Sequence, residues 1–146
     1  MNLTIMSRNE IEKLIAQGFP SNTAVISFRD TDDNSVIEFN DLPKCLFEIK
    51  IDDIELDELN EWGLNFSTYF PEAEKLALFI KSVVMQNMDI ICQCEYGQGR
   101  SAACAAAVLE ALYGTGISVF SDYRYYPNKI IYNKLVVELT KILKKV

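Results

Sequence analysis

The chain has 146 residues, 49% of them hydrophobic and 24% charged, which is enough for one globular domain with a buried core. Its net charge of −7 argues against broad binding to nucleic acid, and its apolar runs are too short to span a membrane. Histidine is absent, which removes imidazole as a general base and the usual ligands of catalytic zinc. The N-terminal segment lacks the pattern of a signal peptide. We therefore expect a single domain over residues 1–146 in the cytoplasm, without a metal or other cofactor and without a nucleic-acid or membrane partner.

The first half of the chain predicts a helix followed by two strands. Ser7 and Glu10 have the spacing of a capping box, hydrophobic residues follow at helical intervals, and Gly18 ends the helix. A polar loop over 29–35 follows the first predicted strand. The segments 24–28 and 45–50 are predicted as strands, and the segment 57–63 is predicted as a helical turn.

The second half predicts a helix, a strand and two further helices. Hydrophobic residues recur at helical intervals over 67–85, with Pro71 in the first turn. Strands that alternate with helices indicate an α/β fold, a three-layer α/β/α sandwich with a mostly parallel central sheet. Ligands of such folds bind at the C-terminal ends of the strands. The other predicted elements are a strand over 89–93, a helix from Arg100 to Gly114 and a last helix over 128–146.

The segment from Cys94 to Ser101 carries the strongest functional signal. It joins a predicted strand to an alanine-rich helix and contains two glycines. Backbone N–H groups of such a turn converge on one point, where the helix dipole adds partial positive charge. Arg100 supplies a planar fork of donors for phosphate oxygens. A cysteine beneath that point would be held as a thiolate that can attack phosphorus.

The pattern Cys94-x-x-Gly97-x-x-Arg100-Ser101 resembles the signature of the cysteine-dependent phosphatases, in particular the small dual-specificity and protein-tyrosine phosphatases of bacterial type. The segment 65–70 is similar to that family's helix start, and 49–53 resembles its general-acid loop. The resemblance implies a protein-tyrosine-phosphatase-like fold. Gln93 stands where the family usually has histidine. Since that histidine positions the cysteine rather than transferring a proton, we expect activity to survive its replacement.

The resemblance also implies roles for individual residues. Cys94 would be the nucleophile that forms a phosphocysteine intermediate, and Ser101 would hydrogen-bond its sulfur. Asp53 would protonate the leaving oxygen and then activate water. Asp52 is the competing choice for this acid, and Asp57 a more distant one. The phosphoryl oxygens would be held by Arg100 and by the backbone amides of the loop, which comprises Glu95, Tyr96, Gly97, Gln98, Gly99 and Arg100.

The predicted function is hydrolysis of phosphate monoesters, chiefly phosphotyrosine and also phosphoserine and phosphothreonine, in a phosphorylated protein or a small molecule. Glu95, Tyr96 and Gln98 bring no positive charge, which disfavours polyphosphorylated substrates. One alternative is a catalytically weak phosphate-binding module that recognises phosphoproteins. A rhodanese-like sulfurtransferase or an arsenate reductase is another, although these resemble the chain in the loop alone.

Several of these residues also have ordinary structural interpretations. Asp52 and Asp53 could be solvated carboxylates in an acidic chain. The tyrosine cluster 123–126 is expected to pack the loop before the last helix rather than to line the site. Cys92 and Cys104 are expected to be buried thiols.

Overall fold

Four parallel strands form the centre of the molecule in the computed structural model, which describes residues 1–143. The strands are β1 (Leu3–Met6), β2 (Thr23–Arg29), β3 (Cys45–Lys50) and β4 (Asp89–Gln93). Their order in the sheet is β1-β4-β2-β3, and every neighbouring pair is parallel. All four C-terminal ends therefore lie along one edge, where loops from distant parts of the sequence meet.

The edge strand β1 is an element that the sequence did not predict. It pairs with β4 from Leu3 opposite Ile90 to Met6 opposite Gln93. With four residues it is too short to show a distinct alternation of polar and apolar side chains, so its pairing depends on β4 rather than on a local signal. Its C-terminal end lies beside the end of β4 and so supports the loop that follows Gln93.

Within residues 1–143, five α-helices and one 3₁₀ helix connect and follow the strands. The predicted capping box between Ser7 and Glu10 is formed at the first helix, and Gly114 ends the third in the left-handed conformation. The predicted turn over 57–63 is the 3₁₀ helix Leu56–Trp62. The α-helices are α1 (Arg8–Gln17), α2 (Ala73–Met85), α3 (Arg100–Tyr113), α4 (Ile117–Phe120) and α5 (Lys129–Leu143). The sequence did not predict α4, and residues 144–146 of the predicted last helix lie outside the described residues.

The prediction of one helix over 67–85 was wrong at its start. The Asn65 side chain accepts hydrogen bonds from the backbone N–H groups of Ser67 and Thr68, at 2.9 and 3.1 Å, and so caps a separate turn. Phe70 then adopts a φ of 62°, which a right-handed helix cannot accommodate. As a result α2 begins only at Ala73, and the family-like segment 65–70 is a turn that precedes the helix.

The helices cover both faces of the sheet, as the predicted three-layer sandwich requires. Along β2, Ala24, Ile26 and Phe28 point into the main core, which they share with α2, α3 and α5. Val25 points to the opposite face, where it packs with Ile11 of α1. The α/β fold with a parallel sheet is therefore confirmed. Within residues 1–143, no helix combines the length and the hydropathy needed to cross a membrane.

Candidate active site

Cys94 lies immediately after β4, at the edge of the sheet where the strand ends meet. The side chain is 2% exposed, and its Sγ lies 3.0 Å from the Ser101 Oγ in the first turn of α3. The strand fixes the backbone of the cysteine and the helix fixes its hydroxyl partner. A thiolate at this position can accept a hydrogen bond from that hydroxyl.

The loop between Cys94 and α3 is braced against the junction of β1 and α1. The backbone N–H of Arg8 donates to the carbonyl of Glu95 at 3.1 Å, and the N–H of Cys94 donates to the carbonyl of Met6 at 3.3 Å. Gly97 has a φ of 67°, and a Cβ there would come within 2.7 Å of the Ser7 backbone nitrogen. Glycine is therefore required at this position both by conformation and by space.

Arg100 is buried, and its guanidinium is held through the Nη1 atom. Its side chain is 5% exposed, and Nη1 donates to Asp30 Oδ1 at 2.7 Å and to the carbonyl of Ile51 at 2.6 Å. The Nε of the same guanidinium is buried and has no hydrogen-bond partner within residues 1–143. A buried donor without a partner is costly, so this nitrogen is suited to an acceptor brought by a ligand.

Gln93 occupies a buried position between Cys94 and the neighbouring strand. Its Oε1 accepts a hydrogen bond from the Ser27 hydroxyl at 2.5 Å, and its Nε2 donates to the carbonyl of Cys94 at 2.9 Å. The side chain thus ties the cysteine backbone to β2. This contact of Gln93 was not predicted from the sequence.

The two neighbouring aspartates point to different places. Asp53 reaches the cavity that contains Cys94, and its Oδ2 packs directly against Gly99, at the place that a Cβ would occupy. Asp52 instead accepts hydrogen bonds at Oδ1 from the Thr31 backbone N–H (3.0 Å) and at Oδ2 from its hydroxyl (2.7 Å). Asp57 lies in the 3₁₀ helix and does not line the cavity. Of the three candidates, only Asp53 shares a cavity with the cysteine.

The cavity above Cys94 is small, about 130 Å³, and opens to the surface. In the part of the chain that the structure describes, its only cationic side chain is Arg100, and Tyr96 and Tyr126 are exposed at its mouth. Glu95 and Gly97, two of the predicted loop residues, do not line it. The lining consists of Asp53, Glu55, Cys94, Tyr96, Gln98, Gly99, Arg100 and Tyr126.

The tyrosines before α5 have different surroundings, since one packs against the fold and another lines the cavity. Tyr125 packs against a small cluster with Ala102 and Val119, as expected for a packed loop. Tyr126, however, lines the mouth of the cavity, and Tyr123 is 89% exposed. The expectation that the cluster only packs the loop was therefore wrong for Tyr126.

Three residues that contact the site were not singled out in the sequence. Asp30 holds Arg100, as described above. Asn128, which is 1% exposed, donates to Asp53 Oδ1 at 2.8 Å, and Tyr69 donates to the carbonyl of Asp52 at 2.5 Å. The only local signal for Asn128 was its place just before a predicted helix, which indicates a cap but not a contact 75 residues away.

The other cysteines near the site are buried thiols, as expected. Cys92 and Cys104 are fully buried, and both are free. The hydrogen bond to the Cys104 side chain, together with burial, holds the pKa of Cys92 well above its usual range. Cys92 therefore stays neutral beneath the loop, where it contributes packing.

The fold is that of the dual-specificity and protein-tyrosine phosphatases. The chain superimposes on human DUSP28 with a TM-score of 0.59 at 14% identity, over 99% of this chain and 95% of that one. The match to DUSP15 has a TM-score of 0.62 at 13% identity, over 99% and 91%. For TpbA of P. aeruginosa the TM-score is 0.54 at 11% identity, over 98% and 86%. By sequence, no family model and no curated protein matches the chain. The predicted protein-tyrosine-phosphatase-like fold is confirmed by these structures.

Proposed function

We propose that the chain is a phosphate monoester hydrolase that acts through a phosphocysteine intermediate. The Cys94 thiolate attacks phosphorus, the bond from phosphorus to the leaving oxygen breaks, and Asp53 gives that oxygen its proton. Asp53, now a carboxylate, then takes a proton from water as the water oxygen attacks phosphorus. The sulfur–phosphorus bond breaks, inorganic phosphate leaves and the thiolate is regenerated. Ser101 stabilises the departing sulfur by a hydrogen bond.

The observation that carries this proposal is the state of Arg100. Its Nη1 is fixed by Asp30 and by the Ile51 carbonyl, while Nε is buried without a partner in the described residues. A guanidinium placed in this way is orientated before a ligand binds, so its remaining donors can stabilise charge that develops on phosphoryl oxygens. The cavity it lines also contains the thiol. A phosphoryl group in this cavity would accept hydrogen bonds from Arg100 and place its phosphorus beside the Cys94 thiol.

Asp53 is the general acid in this proposal, and Asp52 is not. Asp53 lies in the cavity with Cys94, whereas both carboxylate oxygens of Asp52 accept hydrogen bonds from Thr31. A proton donor must come within hydrogen-bond reach of the leaving oxygen. The cavity that Asp53 shares with Cys94 supports its assignment as that donor.

The proposed substrates are phosphotyrosine and, through the same site, phosphoserine and phosphothreonine. The cavity is small, and Tyr96 at its mouth is 77% exposed, which supports a shallow site that accepts alkyl as well as aryl phosphates. Among residues 1–143, Arg100 is the only cation in the lining, which favours one phosphoryl group over several. We place the enzyme in the cytoplasm, where a reactive thiol stays reduced.

The decisive experiment is hydrolysis of p-nitrophenyl phosphate and phenyl phosphate by wild type, Cys94→Ser, Asp53→Ala and the matched control Asp52→Ala. We expect no turnover in Cys94→Ser. On phenyl phosphate, whose leaving group needs a proton, Asp53→Ala should lose about 10²-fold or more and Asp52→Ala about threefold at most.

Three outcomes would contradict parts of this proposal. Turnover that survives in Cys94→Ser would exclude the phosphocysteine. A larger loss in Asp52→Ala than in Asp53→Ala would move the acid to Asp52. A wild type that binds vanadate or a phosphopeptide but turns over neither aryl phosphate would identify a phosphate-binding module instead.

A further inference from the structure

The side chain of Asn128 lies where α5 meets two loops, residues 51–55 with Asp53 (the acid loop) and residues 94–99 (the phosphate loop of the proposed function). It precedes α5, is 1% exposed, and its Nδ2 is 2.8 Å from Asp53 Oδ1. The same nitrogen is 3.2 Å from the carbonyl of Ile54 and 3.1 Å from the hydroxyl of Tyr69. Every acceptor around this amide therefore belongs to the acid loop or to a residue that supports it.

The orientation of the amide is fixed by its other end. Asn128 Oδ1 accepts a hydrogen bond from the backbone N–H of Ile131 at 2.9 Å, the bond of a helix N-cap. With the oxygen turned toward α5, the NH₂ group must face Asp53. Tyr69 completes the arrangement by donating to the Asp52 carbonyl. Burial raises the pKa of Tyr69, so its hydroxyl remains a donor at neutral pH.

The backbone of the same segment holds the phosphate loop. The N–H of Asn128 donates to the carbonyl of Gly99 at 3.1 Å, and the N–H of Tyr126 donates to the carbonyl of Gln98 at 2.8 Å. Asp53 Oδ2 lies against Gly99 itself. One short segment thus sets the position of the carboxyl relative to the loop that would bind the phosphoryl group.

The two oxygens of the Asp53 carboxyl are consequently not equivalent. Oδ1 accepts a hydrogen bond from the Asn128 NH₂ group, and the carbonyl oxygen of a neutral carboxyl group is the better acceptor. This contact favours the proton of the neutral acid on Oδ2, the oxygen beside Gly99. We propose that Asn128 is a positioning residue that makes Oδ2 of Asp53 the proton donor to the leaving oxygen. This inference rests on the proposed function and assigns a residue that the loop motif does not contain.

The test compares substrates that differ in their need for a proton. Asn128→Ser keeps an oxygen able to cap α5 but loses the NH₂ group. We expect its kcat/KM to fall about tenfold or more on phenyl phosphate, yet to stay within about threefold on 2,4-dinitrophenyl phosphate, whose leaving group needs no acid. A role in folding alone would lower both rates together.

The second variant, Asn128→Asp, keeps the shape and the cap but replaces the donor with an acceptor. It should lose at least as much on phenyl phosphate as Asn128→Ser. Asn133→Ser, the same change at an exposed position of α5, serves as the control and should match wild type on both substrates.

A double-mutant cycle measures the coupling between Asn128 and Asp53. In the Asp53→Ala background, Asn128→Ser should cause no further loss on phenyl phosphate, because the group that it positions is gone. Equal losses on both substrates, or additive losses in the cycle, would overturn the inference while the proposed function stands. A wild type without Cys94-dependent turnover would overturn both.

Discussion

Arg100 is the side chain that the proposed function assigns to the phosphoryl anion, and its contacts hold it in place. An arginine in the first turn of a helix opposes the helix dipole, and burial adds a desolvation cost. Asp30 and the Ile51 carbonyl offset part of that cost through Nη1, and Nε is left buried without a partner among the described residues. The guanidinium is thus held in one orientation by a residue that does not line the cavity.

This arrangement predicts the effect of Asp30→Asn. Loss of the charge should loosen the guanidinium and weaken competitive inhibition by vanadate about tenfold, in the range measured for hydrogen bonds to charged groups. Inhibition constants with p-nitrophenyl phosphate as substrate measure the effect. Asp32→Asn removes the same charge from an exposed position of the same loop and should leave inhibition unchanged. Equal weakening in both variants would mean that only the overall charge matters.

The contacts of these residues also show why part of the site escaped prediction from sequence. Cys94, Arg100 and Ser101 lie within eight residues of one another, so their chemistry is visible as a local motif. Asp30 meets Arg100 across 70 residues and Asn128 meets Asp53 across 75, and no local pattern reports such pairs. The proposal of Asp53 rather than Asp52 as the acid likewise rests on the structure, because adjacent residues in a loop can point in opposite directions.

At the scale of elements, the loop between Cys94 and α3 is shaped by packing as much as by its own sequence. Gly97 touches the backbone where β1 passes into α1, and β1 was not predicted. The motif could therefore indicate a glycine-bearing turn, but not what the turn rests on. Helices with local end signals were predicted well, such as α1 with its capping box and α3 with Gly114. The start of α2 was predicted too early, because the positive φ of Phe70 interrupts the helix.

Alanine substitutions at two glycines with nearly the same φ distinguish the cost of backbone strain from the cost of a steric clash. Gly97 (φ 67°) precedes α3 and Gly114 (φ 68°) follows it, but only at Gly97 would a Cβ meet other atoms. Gly114→Ala should lower the free energy of unfolding by about 1–2 kcal/mol without affecting activity. Gly97→Ala should also displace the loop and lower kcat/KM about 10²-fold, the size of effect expected for a misplaced reacting group. Denaturant unfolding and aryl phosphate kinetics measure both. Equal activity in the two variants would contradict the packing account.

At the scale of the whole molecule, the site is held by the main core on one face of the sheet. α5 carries Asn128 at its start and is anchored by fully buried residues such as Leu135 and Leu139. The sequence predicted this helix from its periodicity, and the three-layer arrangement followed from the alternation of strands and helices. The order of the strands was not predictable, because parallel pairs are formed by segments far apart in the chain.

A cavity in this core should lower the free energy of unfolding without changing the chemistry of the site. Leu135→Ala removes a fully buried side chain and should lower the free energy of unfolding by about 2–5 kcal/mol. Val137→Ala, on the same helix but 53% exposed, should change it by less than about 0.5 kcal/mol. Denaturant titration measures the two values. Similar losses in both variants would show that α5 is not anchored through the main core.

The central claim, a covalent phosphocysteine on Cys94, is tested most directly by rapid-quench mass spectrometry during turnover of p-nitrophenyl phosphate. The Ser101→Ala variant should slow the release of sulfur, so the intermediate should accumulate behind a burst of p-nitrophenolate. We expect one added phosphoryl group, located on Cys94 and absent in the Cys94→Ser, Ser101→Ala double variant. A chain that turns over substrate with no phosphoryl group on Cys94, or with one on another residue, would contradict the account.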